Sequence, residues 1–319
     1  MTRRALPITA VVLTFNEEKN LRPCLESMAG WVTDLYIVDS GSTDATLAIA
    51  DELGAKVVSH KFETHTRQWR WALATLPLRT EWVLALDADQ RLTPELADAI
   101  ASAFGEGGSS GETDGFFLNR RQVFRGRWIK YGGYYPKYLL KLFRRSAVAL
   151  HDSDLVDHHF HVSGRTRQLR GDLIEDNRNE AQIFDWIQKH NRYARLQATQ
   201  ELQQLNAGAA PRLFGSPDER TAWMKSVWSR LPLYLRPFAY FVYRYILRLG
   251  FLDGKEGFIF HFMQAYWYRL LIDINRDEQS RAAQPRADAV AHGNDSGDHF
   301  TAPSDADAMA NPEPERLRN

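Results

Sequence analysis

Over its first hundred residues the chain alternates short apolar runs with helix-patterned segments. That alternation restricts the fold more than any other feature. Residues 8–13 form an apolar run of strand length, and residues 16–28 follow with Leu21, Leu25 and Met28 at helical spacing. Residues 35–38 read as a second strand, ending in Asp39-Ser40-Gly41-Ser42-Thr43-Asp44, a Gly/Ser turn leading into a helix over 45–53. A third strand is expected over 55–59, a helix over 67–74 and a fourth strand over 82–86. Thr93-Pro94-Glu95 then starts a helix, with Thr as N-cap and Pro at the first helical position. Strands alternating with helices predict an α/β fold, a mostly parallel Rossmann-like sheet with helices on both faces. Ligands of such sheets sit beyond the carboxyl ends of the strands. Thr14-Phe15-Asn16, Asp39 and Asp87-Ala88-Asp89 all fall at such ends.

Asp87 and Asp89 are two carboxylates one residue apart at the end of a buried strand. They make a hard-oxygen site suited to Mg²⁺ or Mn²⁺ carrying a substrate phosphate. Taken alone, an Asp-x-Asp is more often a solvated turn. Its place on the same edge as Asn16 and Asp39 argues for a site.

The second half is less regular. Residues 105–111 are a flexible break, and 116–121 and 139–143 read as strands flanking the loop Tyr131-Gly132-Gly133-Tyr134-Tyr135-Pro136. Residues 181–204 form an amphipathic helix, and two aromatic-rich helical stretches follow from Ser216. From about Gln279 the apolar periodicity stops and disorder is expected. The expected organisation is a catalytic domain over 1–210, an amphipathic membrane-associating helical region over 211–278 and a disordered tail over 279–319.

Formal net charge is zero, so the total points to no nucleic-acid partner. It conceals an asymmetry: residues 220–276 hold nine Lys/Arg, three acids and 15 of the 38 aromatics, whereas 277–319 hold nine acids and four Arg. Residues 231–248 are interrupted by three Arg and two Pro, too often for a spanning helix. Arg at helical spacing among Trp, Tyr and Phe suits a helix lying in a membrane interface. A buried helical hairpin or an oligomer contact is the plainer alternative. The single cysteine, Cys24, excludes an internal disulfide and a cysteine-rich zinc site, and a reducing cytoplasm is the simplest compartment. The apolar run after Arg3-Arg4 is too short for a signal peptide.

Val11-Val12-Leu13-Thr14-Phe15-Asn16-Glu17, Ile37-Val38-Asp39-Ser40-Gly41-Ser42-Thr43-Asp44 and Leu84-Ala85-Leu86-Asp87-Ala88-Asp89, in this order, resemble the family 2 glycosyltransferases. Lys189-His190-Asn191-Arg192-Tyr193 and Gly250-Phe251-Leu252-Asp253-Gly254-Lys255-Glu256-Gly257 resemble, more narrowly, the bacterial branch that builds lipopolysaccharide core or exopolysaccharide. The resemblance implies a GT-A fold, a nucleotide-diphosphate-sugar donor (usually a UDP-sugar) and inversion in one displacement. It implies a lipid-linked saccharide acceptor and a cytoplasmic protein peripheral on the inner membrane. Thr14, Phe15, Asn16, Glu17, Asp39, Gln68, Arg70, Asp87 and Ala88 are the expected nucleotide-sugar contacts. In this reading Phe15 stacks on a base unless it is plain core, and Asp39 accepts from the uracil N3–H. Asp87 binds ribose or metal, and Asp89 holds the metal. Asp44 reads as a cap of the following helix.

Inversion needs one general base. The family places a carboxylate where this chain has Leu155-Val156-Asp157-His158-His159-Phe160, with Glu expected at His158. Asp157 is the first candidate and His158 the second; one of His158, His159 or His161 can instead reach the metal. Trp69 and Arg70 also depart from the family pattern, leaving Arg70 either near the diphosphate or solvated on its helix. Lys137 and Lys141 are candidate phosphate or acceptor contacts. Three other readings stay open: a polyprenyl-phosphate acceptor, a sugar-nucleotide pyrophosphorylase and an inactive membrane-associated homologue. The pyrophosphorylase lacks its Gly-rich basic loop here, where Thr14-Phe15-Asn16-Glu17-Glu18 stands.

Overall fold

A computed structural model describes residues 5–105, 111–150, 159–206, 227–228 and 230–283. The expected disordered tail lies outside the described residues, apart from its beginning: the last helix, Tyr268–Ala283, continues past Gln279. Residues 1–281 form one compact unit.

The apolar runs become β1 (Leu6–Thr14), β2 (Val32–Asp39), β3 (Lys56–Ser59) and β4 (Trp82–Asp87), all parallel, in the order β3-β2-β1-β4. The near-continuous burial of β1 and β4 explains why they read as unbroken apolar runs, whereas the edge strand β3 is largely exposed. The sheet then becomes mixed. It continues through β8 (Tyr138–Arg144), β6 (Thr113–Phe124), β11 (Arg165–Glu175) and the short β5 (Gln90–Leu92), with β7 (Arg127–Trp128) paired to β6. β8 is antiparallel to both β4 and β6, and β11 is parallel to β6. Six of the eight strands on this path therefore point to one edge. β9 (Val148–Leu150) and β10 (Phe160–Val162) form a separate antiparallel pair.

One core lies between the sheet and helices α1 (Leu21–Glu26) and α4 (Pro94–Phe104), around Leu25, Ile37, Leu84 and Phe104. A second lies on the other face, around Trp69 of α3 (His65–Thr75) and Phe143. Thr93 caps α4, its Oγ1 accepting from Leu96 N, with Pro94 in the first turn as expected. α1 is shorter than the expected 16–28: Asn16 stands in a left-handed conformation at φ +55°, outside any helix, and Asn16, Glu17 and Glu18 donate their N–H groups to Ser42, Thr46 and Asp44. A third cluster joins the end of β6 (Phe124), the loop residues Ile129 and Tyr134, α5 (Ile183–Asn206) and the aromatic helices of the C-terminal segment. Among the described residues no helix is long and apolar enough to cross a membrane.

Candidate active site

The carboxyl ends of β1, β2 and β4 lie side by side. Thr14 is level with Asp39, and Leu13 with Asp87. Asp39 is 1% exposed and organises the turn that follows it. Its Oδ2 accepts Gly41 N at 2.9 Å and Ser42 N at 2.8 Å, while Oδ1 accepts the Thr14 and Ser42 hydroxyls. Four donors occupy the lone-pair positions of this carboxylate. Any further N–H approaching it therefore has to replace one, and the Thr14 and Ser42 hydroxyls are the two rotatable donors. Asn16 sits at φ +55°, a left-handed conformation that Asn tolerates. Its Oδ1 accepts Thr43 N at 2.8 Å, tying the end of β1 to the same turn. Asp44 accepts both Thr46 N and Glu18 N, but the N-cap of the next helix is Ala45 rather than Asp44, which stands one residue before it. Beside this hydrogen-bonded loop Phe15 is 57% exposed, which removes the core reading and leaves a free aromatic face.

Gln68 is buried behind the turn, where its Nε2 donates to Ser40 Oγ and its Oε1 meets His60 Nδ1. It braces the Asp39 loop. Arg70, on the exposed side of α3, donates to the carbonyl of Leu150 at 3.3 Å.

Ala88 is buried between its acidic neighbours. Asp87 Oδ2 accepts from Lys141 Nζ at 2.9 Å, and Lys141 is only 5% exposed. Asp87 N donates to Gln90, whose Nε2 donates to Glu175; the other Glu175 oxygen accepts from Arg120 at 3.0 Å. Withdrawal from water, then the charges of Glu175 and Asp87, push the Asp89 carboxyl well above the usual range. Burial, with Asp87 and Glu180 adding to it, pushes Glu17 to about 7, against the Asn20 amide and Lys189. Burial works against the charge of Lys189, but Glu180 more than offsets it and raises the ammonium pKa.

The residues fit a hard divalent cation. The acids around Asp89 (Asp87, Glu17, Glu175 and Glu180) outnumber the cations Lys141, Lys189 and Arg120, and the donors are oxygens. Among the described residues no group of three potential ligands stands at metal spacing. One or two carboxylates completed by substrate phosphate is the usual arrangement for Mg²⁺.

Asp157 and His158 lie outside the described residues. His159 is exposed and His161 is half-buried in β10. Sequence reasoning missed Glu175, Glu180, Asn20 and Asn179; the two amides both donate to Glu17. Glu175 ends β11, which reads Arg-Thr-Arg-Gln-Leu-Arg-Gly-Asp-Leu-Ile-Glu, without the apolar run that marks β1 or β4, and Asn179 and Glu180 lie in the short 3₁₀ turn after it. The available signal was Leu173-Ile174 directly before the acidic pair Glu175-Asp176.

A parallel nucleotide-type half-sheet extended by a mixed half, with an Asp-Ala-Asp at its carboxyl edge, is the GT-A form of α/β architecture. The model for glycosyl transferase family 2 matches residues 9–168, half of the chain, and the chain belongs to that family. An uncharacterised glycosyltransferase of Rickettsia felis is 36% identical over 97 residues, 30% of this chain and 34% of the relative. The match thus spans about a third of that relative's length. The lipopolysaccharide core biosynthesis glycosyltransferase LpsC of Rhizobium meliloti is 27% identical over 220 residues, 66% of this chain and 76% of LpsC. The solved glucosyl-3-phosphoglycerate synthase of Mycobacterium tuberculosis is a looser likeness: TM-score 0.35 and 19% identity, over 54% of this chain and 73% of that one.

Proposed function

We propose that this chain is an inverting, metal-dependent glycosyltransferase. It moves a sugar from a nucleotide-diphosphate sugar, a UDP-sugar, to a lipid-linked saccharide in lipopolysaccharide or exopolysaccharide synthesis. It works on the cytoplasmic face of the inner membrane as a peripheral protein. Residues 1–210 supply the chemistry, 211–278 the membrane-facing helices and 279–319 the tail. The observation that carries this reading is the meeting of the Asp39 turn and Asp87-Ala88-Asp89 on one sheet edge, with Asp89 sunk among carboxylates. The extent of the match to LpsC supports the acceptor class.

Phe15 stacks on the base and Asp39 receives its N–H, with Ser42 turning away. Asp87, charge-paired with Lys141, faces the ribose and diphosphate, and Asp89 with Asp87 holds Mg²⁺ or Mn²⁺. The cation supplies Lewis-acid neutralisation of the departing diphosphate. Gln68 keeps the base-binding turn in shape, and Glu17 lies against the Asp87 side. Asp157, with His158 as the second candidate, takes the proton from the attacking hydroxyl.

The test is a donor screen following UDP release, with a membrane-lipid extract as acceptor. Turnover with one UDP-sugar that requires Mn²⁺ or Mg²⁺ is expected. Metal-independent turnover, or formation of nucleotide sugar and pyrophosphate from nucleoside triphosphate and sugar phosphate, overturns the reading. An acid-labile product would identify polyprenyl phosphate as the acceptor.

A further inference from the structure

The C-terminal aromatic segment turns an unusual face to solvent. Between a π-helical turn, Tyr243–Leu247, and a 3₁₀ turn, Gly250–Asp253, the chain reverses direction at Leu249, which sits at φ +60°. At this reversal Ile246 is 47% exposed, Leu247 68%, Leu249 45%, Phe251 43% and Leu252 47%. Phe258, on the adjoining helix Gly254–His261, is 47% exposed. A run of large apolar side chains at one tip is more than the scattered exposed leucine every protein carries.

The charges around the tip are sorted by sign. Arg248 and Lys255 are exposed beside it. The acids of this segment are withdrawn. Asp253 is 2% exposed and accepts Lys130 N and Tyr131 N; Asp273 is 1% exposed and receives Arg236. Glu256 is half-buried. The solvent face is thus apolar at its apex and basic around it.

The inner side of the tip is anchored. Arg244 Nη1 donates to Gly132 O at 2.6 Å, and Gly132 N donates to Arg248 O at 2.9 Å. With the two bonds to Asp253, the loop after β7 is held by the aromatic segment. That loop leaves from the carboxyl end of β6, the same edge that carries Asp39 and Asp87. The tip is therefore a fixed projection attached at the edge that holds the candidate site.

We infer that residues 246–252 are a wedge that inserts into the headgroup region of an anionic lipid bilayer, with Arg248 and Lys255 meeting lipid phosphates. The wedge deepens the proposed function by naming its membrane contact, and it rests on that reading only for the acceptor that the membrane presents. A second copy fits the face poorly. A two-fold contact through the tip sets its own Arg248 and Lys255 against those of the partner, and among the described residues of the tip the one acid that is not buried is the half-buried Glu256.

The experiment is co-flotation of the full chain, without donor, on vesicles of phosphatidylcholine alone and with phosphatidylglycerol added. The wild-type chain should float with the anionic vesicles. The L247D/F251D pair should lower partition by about tenfold or more, since both apolar side chains leave the interface. Arg248→Glu should cost about fivefold on anionic vesicles and little on neutral ones. Hydrogen exchange on the wild-type chain is independent of any variant's folding: vesicles should protect the amides of 246–252. No flotation, unchanged flotation of the double variant, or no protection overturns the wedge. So does a concentration-dependent dimer in sedimentation that the double variant dissolves. UDP and Mn²⁺ binding without vesicles tests the catalytic reading separately, so either can fail alone.

Discussion

The candidate donor edge and the aromatic clamp around Gly132 are both attached to the carboxyl ends of the same sheet, yet they are held by opposite means. The donor edge is polar and held by hydrogen bonds between the ends of adjacent strands and the turns that follow them. Asp39 is satisfied by Thr14 and by residues two and three positions on, and Asn16 by the same turn. The clamp is built from partners more than a hundred residues apart in sequence. Arg244 reaches Gly132 O, Asp253 reaches Lys130 N, and wholly buried His261 packs on Gly132. A strand-end turn can be rebuilt for chemistry without disturbing the core. The clamp has no such latitude, since every atom of it is also packing. The two regions should therefore fail differently when damaged.

The largest effect is expected at the donor edge and should leave the fold alone. Asp89→Ala removes the carboxylate most loaded by its neighbours, so metal-dependent turnover should fall by about 10³-fold or more. Thermal stability should hold or rise, because a half-buried, like-charge-crowded group is gone. Full activity in this variant would sink the mechanism, and a large drop in Tm would erase the contrast with the clamp.

Gly132→Ala is the converse. Gly132 sits at φ +69°, and a Cβ there would stand 2.0 Å from the His261 ring. The ring has little room to retreat, because it is wholly buried and lies close against Gly250 as well. A loss of about 2–4 kcal/mol in stability is expected from urea unfolding, with UDP binding to the folded fraction preserved. A stable variant that binds UDP poorly would show the clamp to be part of the site.

The same contrast decides what can be read from sequence. Asp39, Asp87 and Asp89 were legible because each ends an apolar run, and a strand end is a local pattern. The Thr93 cap and Pro94 were legible for the same reason. Glu175 was not, since β11 carries Arg165, Arg167 and Arg170 where a buried strand would carry apolar residues. That strand is recognisable only by its pairing with β6 and β5. Lys141 read as a candidate phosphate or acceptor contact, but its pairing with Asp87 was not legible, because it depends on β8 inserting between β4 and β6. The clamp was invisible: Gly132, Arg244 and His261 share no sequence window, and their contact depends on the path of the chain.

Glu17 sharpens the comparison through pH, in metal-free protein. Its folded-state pKa of about 7 exceeds the ordinary 4.5. The folded state therefore binds the proton more tightly than the unfolded state. This contribution to stability is complete below pH 4.5 and is lost as pH rises through 7. Glu17→Gln, which keeps the shape and cannot ionise, should flatten the fall in Tm between pH 5 and pH 8. An identical pH profile in wild type and variant would mean that Glu17 is not the group responsible.

Lys141→Met should give the smallest change and the most specific one. The ammonium lies 2.9 Å from Asp87 Oδ2 and is almost fully enclosed, so it cancels one of the two charges of Asp87-Ala88-Asp89 before any ligand arrives. Met keeps the length and apolar stem of the side chain and removes the charge. The negative potential at Asp89 then rises, and Mn²⁺ affinity without nucleotide, read by spin-resonance titration, should increase about three- to tenfold. UDP affinity without metal should move the other way, because the diphosphate loses the buried cation beside it. Opposite signs for the two ligands are what a charge placed between metal and phosphate produces. A parallel loss of both would make Lys141 a packing residue, and the donor edge would then be less separable from the core than the hydrogen bonds around Asp39 imply.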